Sequence, residues 1–177
     1  MAPVRTLVTD VVKKTQRIIV ILLAVALLLT VLLLVGGMPL FDACIHAFGT
    51  AGTGGFGILS SSVADYNTAT QIILSVIMIL CGVNFGCYYL ILTKRAKEVF
   101  RNEELRVYLG VMLAAIAVVT VNIVGMFDSV GEALKHALFQ VSSVMTTTGF
   151  STTDFDLWPS FSKAILLMLI CQLPGSI

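Results

Sequence analysis

Three long apolar runs decide how this chain can fold. Ile18 to Val35 is broken only by Thr30. Ile72 to Leu92 carries Ser75 and Asn84 as its clearly polar side chains, and Val107 to Phe127 carries Thr120 and Asn122. A hydrocarbon core about 30 Å thick is crossed by about 20 apolar residues in helix, so each run has the length of a membrane span. A fourth run starts near Phe161, and the sequence ends at Ile177 after Pro174 and Gly175, so its helix is expected to be truncated. With 58% of the 177 residues hydrophobic and 12% charged, the composition lies far from that of soluble domains. The expected class is an all-α membrane protein.

Charge position gives the orientation. Of eleven Lys and Arg, four (Arg5, Lys13, Lys14, Arg17) precede the first span and five (Lys94, Arg95, Lys97, Arg101, Arg106) lie between the second and third. The stretches 36–69 and 128–163 hold only Lys135 and Lys163 against six acids. Cytoplasmic loops collect Lys and Arg, so the expected topology is multi-pass, with the N-terminal segment 1–17 and a basic loop at 94–106 on the cytoplasmic side of the membrane. The first run exceeds the h-region of a secretory signal, and "LLLVGGMPLF" offers no small-x-small cleavage site, so a retained helix is expected.

A net charge of +1, with no basic stripe interleaved with aromatics, gives no hint of a nucleic-acid partner. Cys44, Cys81, Cys87 and Cys171 form no CxxC pair and read as small buried hydrophobes. His46 and His136 are too isolated for a metal site, so no bound cofactor is expected.

The chain repeats itself. "TAGTGGFG" (Thr50 to Gly57) and "MTTTGF" (Met145 to Phe150) both end in Gly-Phe, and setting Phe56 on Phe150 aligns Gly55 with Gly149, Thr53 with Thr147 and Ala43 with Ala137. The segments before these runs, "FDACIHAF" and "GEALKHALFQVSSV", are too short to cross a bilayer and too apolar for a solvated loop, so they read as re-entrant helices. Asp42 and Glu132 sit near their starts, where a carboxylate suits the positive end of the helix dipole. Trp158 falls where an interfacial aromatic is expected. Each unit reads membrane helix, pore helix, filter-like strand, membrane helix, giving two tandem repeats at 1–93 and 107–177 joined by the 94–106 loop.

Non-helical backbone at membrane depth is tolerated where it is buried in protein or lines a water-filled path. Glycine opens backbone angles closed to other residues and lets backbone approach a ligand closely. A ring of carbonyls there can replace the hydration shell of a monovalent cation, with threonine hydroxyls adding oxygens. The bland alternative is a pair of Gly-rich turns between membrane helices; two copies on one side of the membrane favour the filter.

These residues resemble the Trk/Ktr/HKT superfamily of potassium transporters, and within it the membrane subunit of the bacterial Trk system. "FDACIHAFGTAGTGGFG" looks like the family's second pore loop, "ALKHALFQVSSVMTTTGFSTTDFDLWPSF" like its third, and "GVNFGCYY" (Gly82 to Tyr89) like the helix after the second loop. The resemblance runs from about Arg17 to Leu169. It implies four helix, pore-loop, helix repeats around one path, each with one filter glycine. Carried over, those glycines are Gly55 and Gly149, and the candidate ion ligands are the carbonyls of Thr53, Gly54, Gly55, Thr147, Thr148 and Gly149, with K+ the ion held there. Phe56 and Phe150 are expected to pack behind the filter. Two filter strands do not close a ring, so the chain is expected to be a fragment that needs the missing repeats or a second copy, as a homo-oligomer. The family's gate loop has no counterpart here beyond Gly175-Ser176, and Pro174 departs from the pattern.

The expected function is potassium uptake through a channel-like pore. The alternative is a truncated, transport-inactive membrane protein with at most an interaction role. An enzyme is not expected, because Ser75, Asn84, Thr120 and Asn122 supply no acid or base inside the spans and polar residues there serve as contacts between helices. The family resemblance makes a cytosolic nucleotide-binding regulatory subunit a partner for the basic loop, against a simply solvated loop. Potassium and sodium are not distinguished by the residues alone.

Overall fold

A computed structural model describes residues 2–83 and 103–171. The second half of the expected second span, most of Gly82 to Tyr89, Cys87, residues 94–102 of the basic loop and the Pro174-Gly175-Ser176 stretch lie outside the described residues. Among those described there are six α-helices: α1 (Ala2–Val35), α2 (Leu40–Ala51), α3 (Thr68–Cys81), α4 (Glu103–Ile123), α5 (Val130–Met145) and α6 (Ser160–Cys171). Short 3-10 turns at Val124–Met126 and Phe155–Leu157 follow α4 and precede α6.

Helix α1 begins well before the apolar run. Residues 4–17 contain neither Gly nor Pro, and Pro3 lies in the first turn, where its missing N–H leaves no bond unmade. At 1.5 Å per residue its 34 residues reach about 50 Å, longer than a bilayer core, and its apolar part is Ile19–Val35. It ends in a Schellman motif: the Met38 N–H donates to the Leu33 carbonyl at 3.0 Å and the Gly37 N–H to Leu34 at 3.0 Å, with Gly37 left-handed at φ +91°. Asn67 then joins two helices, its Oδ1 accepting from the Thr70 N–H at the start of α3 and its Nδ2 donating to the Gly36 carbonyl at the end of α1. Helix α4 with its 3-10 extension, Glu103–Met126, is long and apolar enough to cross a membrane; the apolar parts of α1, α3 and α6 are shorter.

Polar groups inside the apolar helices are satisfied locally. Thr30, Ser75 and Thr120 donate to the carbonyls four residues back, Ala26, Gln71 and Ile116. Of the four expected contacts between helices, Asn84 lies outside the described residues, and of Ser75, Thr120 and Asn122 only Asn122 is seen to act as one, donating to Ser162 of α6 at 2.7 Å. Short hydroxyls reach their own backbone more easily than a neighbour's.

The first repeat packs α1, α2 and α3 around Leu29, Leu33, Ala43, Ala47, Leu74 and Met78. The second packs α4, α5 and α6 around Met112, Ile116, Val119, Ala137 and Val141. Trp158, expected at the membrane interface, is buried in this second core, between the 3-10 turn Phe155–Leu157 and Pro159. The repeats join where α3 packs on α5, and Phe139 and Phe150 of the second repeat belong to the core of the first. That exchange brings the two Thr-Gly stretches together.

Candidate functional site

Both short helices start with a carboxylate in the first turn, Asp42 in α2 and Glu132 in α5, the sign that the helix dipole favours there. Ser129 caps α5 by accepting from the Glu132 N–H. Asp42 also accepts from the Tyr66 hydroxyl at 2.7 Å. Burial first, then that hydrogen bond and the nearby Asp42 and Asp65 charges push the Tyr66 hydroxyl up to about 12, so it stays a donor throughout the physiological range.

The C-terminal ends of α2 and α5 are nearly superimposable in their bonding. The Gly54 N–H donates to Gly49 at 2.7 Å and the Thr53 N–H to Thr50 at 3.2 Å; the Thr148 N–H donates to Ser143 at 2.9 Å and the Thr147 N–H to Val144 at 3.0 Å. Both are the motif that ends α1, with one change. The left-handed position held by Gly37 in α1 is held by Thr53 (φ +49°) and Thr147 (φ +56°). A β-branched residue there is strained by about 1–3 kcal/mol. Thr147→Gly is therefore expected to stabilise the protein by a net ~1 kcal/mol after the entropic cost of glycine. Thermal unfolding in detergent checks this, and a lower melting temperature would show that Thr147 is not strained.

From the helix ends the chain runs on as irregular strands. In both, the sign of φ alternates: positive at Thr53, not at Gly54, positive at Gly55 (+62°); positive at Thr147, not at Thr148, positive at Gly149 (+88°). In an ordinary extended strand successive carbonyls point to opposite sides. Reversing the sign of φ at every second residue turns alternate peptides over and brings successive carbonyls toward one side. The two strands also meet: a β-carbon on Gly55 would overlap the Thr148 carbonyl oxygen, whereas one on Gly149 would meet nothing within 4 Å. The six sequence-identified positions thus lie on two adjoining strands of like conformation. The Thr148 hydroxyl is turned inward, 2.8 Å from that of Thr146, and Thr146 donates to the Ser142 carbonyl.

Phe150 and Phe56 differ from the expectation of equivalent packing. Phe150 is 0% exposed and stacks on His46 of α2, with ring centroids 5.2 Å apart, while Phe56 is 75% exposed. The seat for Phe150 lies on the first repeat rather than its own, and among the described residues Phe56 has no matching seat. Hydrogen bonds lock the second strand onto the first repeat: the Val63 N–H donates to the Ser151 carbonyl at 3.0 Å, and the Ser151 N–H to the Ser62 hydroxyl at 3.1 Å. Ser143 donates to the Phe150 carbonyl at 2.6 Å. None of Ser62, Ser143 and Ser151 carries a sequence signal of this role, since each acts through a pairing set by the fold. His46 does: stepping back ten residues from each Phe pairs it with Gln140.

Short helices that end at membrane depth in irregular, glycine-bearing strands, flanked by longer apolar helices, define a pore-loop membrane protein. Residues 6–177 match the TrkH family, described as cation transport protein, and the chain belongs to that family. The Trk system potassium uptake protein TrkH of Salmonella typhimurium is 35% identical over 135 residues, covering 74% of this chain and 28% of the relative. The Trk system potassium uptake protein TrkG of Escherichia coli K12 is 32% identical over 136 residues, covering 75% of this chain and 28% of the relative. The crystal structure of the potassium transporter TrkH from Vibrio parahaemolyticus superimposes with a TM-score of 0.84 at 26% identity, covering 89% of this chain and 35% of that one. The chain thus matches about a quarter to a third of the length of these proteins.

Proposed function

We propose that this chain supplies two of the filter strands of a potassium-conducting pore in the plasma membrane, with the carbonyls of Thr53, Gly54, Gly55, Thr147, Thr148 and Gly149 as ion ligands. The observation that carries the reading is the alternation of φ at matching positions of two adjoining strands. The potassium uptake for which its relatives are named agrees with it. Potassium sheds water on entering the carbonyl-lined path and moves down its electrochemical gradient, an inside-negative potential contributing about 2.3 kcal/mol per charge per 100 mV. The proposed arrangement has the N-terminus cytoplasmic, both strands toward the outside, and repeats at 1–93 and 107–177 flanking a cytoplasmic loop at 94–106 that is available to a nucleotide-binding regulatory subunit. Further strands come from other repeats or from a second copy in a homo-oligomer.

Gly149→Ala tests this with little risk to folding, because the added methyl group meets open space and only the left-handed backbone resists it. In cells that depend on the assembly containing this chain, the expected result is unchanged protein level and about a tenfold loss of potassium over sodium discrimination, equivalent to about 1.4 kcal/mol. Rubidium uptake with sodium competition measures it. Wild-type discrimination would overturn the filter assignment.

A further inference from the structure

Position 46 and its counterpart 140 share an unusual property. His46 is 0% exposed and its Nδ1 lies 2.8 Å from the Asp42 carbonyl oxygen, which only accepts, so Nδ1 carries a proton and, in the Nδ1–H tautomer of the neutral ring, Nε2 is an acceptor. That Nε2 is buried without a partner, and so is Oε1 of Gln140, ten residues before Phe150 as His46 is ten before Phe56. An unmet buried acceptor is costly, and native proteins rarely leave one. A third such atom among the described residues, Gln71 Oε1, lies in α3, but His46 and Gln140 stand at equivalent places in α2 and α5, which suits a feature of the repeat.

The surroundings of His46 indicate what the acceptor serves. Its ring is stacked on Phe150, which follows the second strand, at 5.2 Å and 29°. It is held edge-on by Tyr66 at 5.4 Å, and Tyr66 is anchored to Asp42. Its Nε2 lies 3.8 Å from where a β-carbon of Gly57 would stand, just past the first strand. One imidazole therefore stacks on the residue that follows the second strand and lies near Gly57, which follows the first.

We infer that His46 is a positioning residue that holds both filter strands in register, its ring seating Phe150 and its Nε2 accepting from a buried water behind the first strand, and that Gln140 offers the matching acceptor behind the second. The inference rests on the filter reading above. Water is the inferred partner because the acceptor is buried and unpartnered, and buried waters commonly satisfy such groups. Glutamine and histidine are interchangeable here in the one property they share, a buried acceptor at the same depth in the helix.

The test uses three variants in the assembled transporter, assayed for rubidium uptake with sodium competition and for apparent affinity against maximal rate. His46→Phe keeps the ring and removes the acceptor; His46→Gln installs the residue that the second repeat uses; Gln140→Met removes the second acceptor at similar volume. The expected result is about a tenfold fall in potassium over sodium discrimination for His46→Phe, substantial recovery for His46→Gln, and a comparable fall for Gln140→Met. A nitrogen NMR spectrum of His46 is expected to show a protonated Nδ1 and a hydrogen-bonded, unprotonated Nε2. Should His46→Phe fail to accumulate, Gln140→Met and the NMR spectrum decide. Wild-type discrimination in the variants that fold, or a protonated Nε2, overturns the assignment. Gly149→Ala separates the two levels: if it alters discrimination and the acceptor variants do not, His46 and Gln140 are packing residues in a real filter; if it does not, the filter reading fails first.

Discussion

Gly55→Ala is expected to abolish potassium uptake, while Gly149→Ala leaves a folded protein with altered selectivity. The two glycines are equivalent by sequence and both are left-handed, so each alanine carries the backbone strain of that region, about 1–3 kcal/mol. They part over space. A β-carbon at Gly55 would overlap the Thr148 carbonyl oxygen of the other strand, and nothing stands within 4 Å of one at Gly149. A backbone carbonyl yields less than a side chain tip does, so the strands must part and the total cost at Gly55 exceeds about 4 kcal/mol, the range of severe substitutions. Uptake assays beside quantified membrane protein check this. Equal uptake in the two variants would show that the strands do not approach each other as described.

Phe150→Ala is the second large effect. The side chain is fully buried in the first repeat's core with Leu29, Leu33, Leu74 and Met78, and removing it should cost about 3–5 kcal/mol through lost burial and the cavity left behind. It also frees the His46 ring. Phe56→Ala, at a position 75% exposed in this chain, should change the stability of the purified chain by no more than ~0.5 kcal/mol. Thermal or denaturant unfolding of the two variants side by side measures the difference. If they prove equally destabilised, the seat for Phe150 on the neighbouring repeat is wrong.

Much of the architecture was legible because length and apolarity act locally. The runs ending at Val35 and Phe127 foretell long helices, and segments around Phe41–Phe48 and Gly131–Val144, too short to cross and too apolar to be loops, foretell the pore helices that lie at Leu40–Ala51 and Val130–Met145. The Gly-Phe repeat foretells paired strands of like conformation. What the sequence hid depends on partners distant along the chain. Trp158 has the composition of an interfacial anchor and the position of a core residue. Phe56 and Phe150 both follow the repeat's glycine and are opposite in burial, since only the fold determines which repeat offers the seat. The left-handed threonines were hidden differently: propensity alone places glycine there, as at Gly37, so choosing threonine sets site geometry against stability. The pairing of His46 with Gln140 lay within reach, four residues beyond the aligned Asp42 and His136, but the two side chains differ in chemistry, and only burial reveals what they share.

The seating of one repeat's strand on another also bears on how such a chain is made. Ser151 and Phe150 find their partners, Ser62, Val63 and His46, in sequence that leaves the ribosome earlier. Domains and repeats fold in the order of synthesis, N-terminal first. The first repeat is thus already in place as a template when the second strand emerges, and that strand does not have to wait, unpaired in the bilayer, for its seat to be translated.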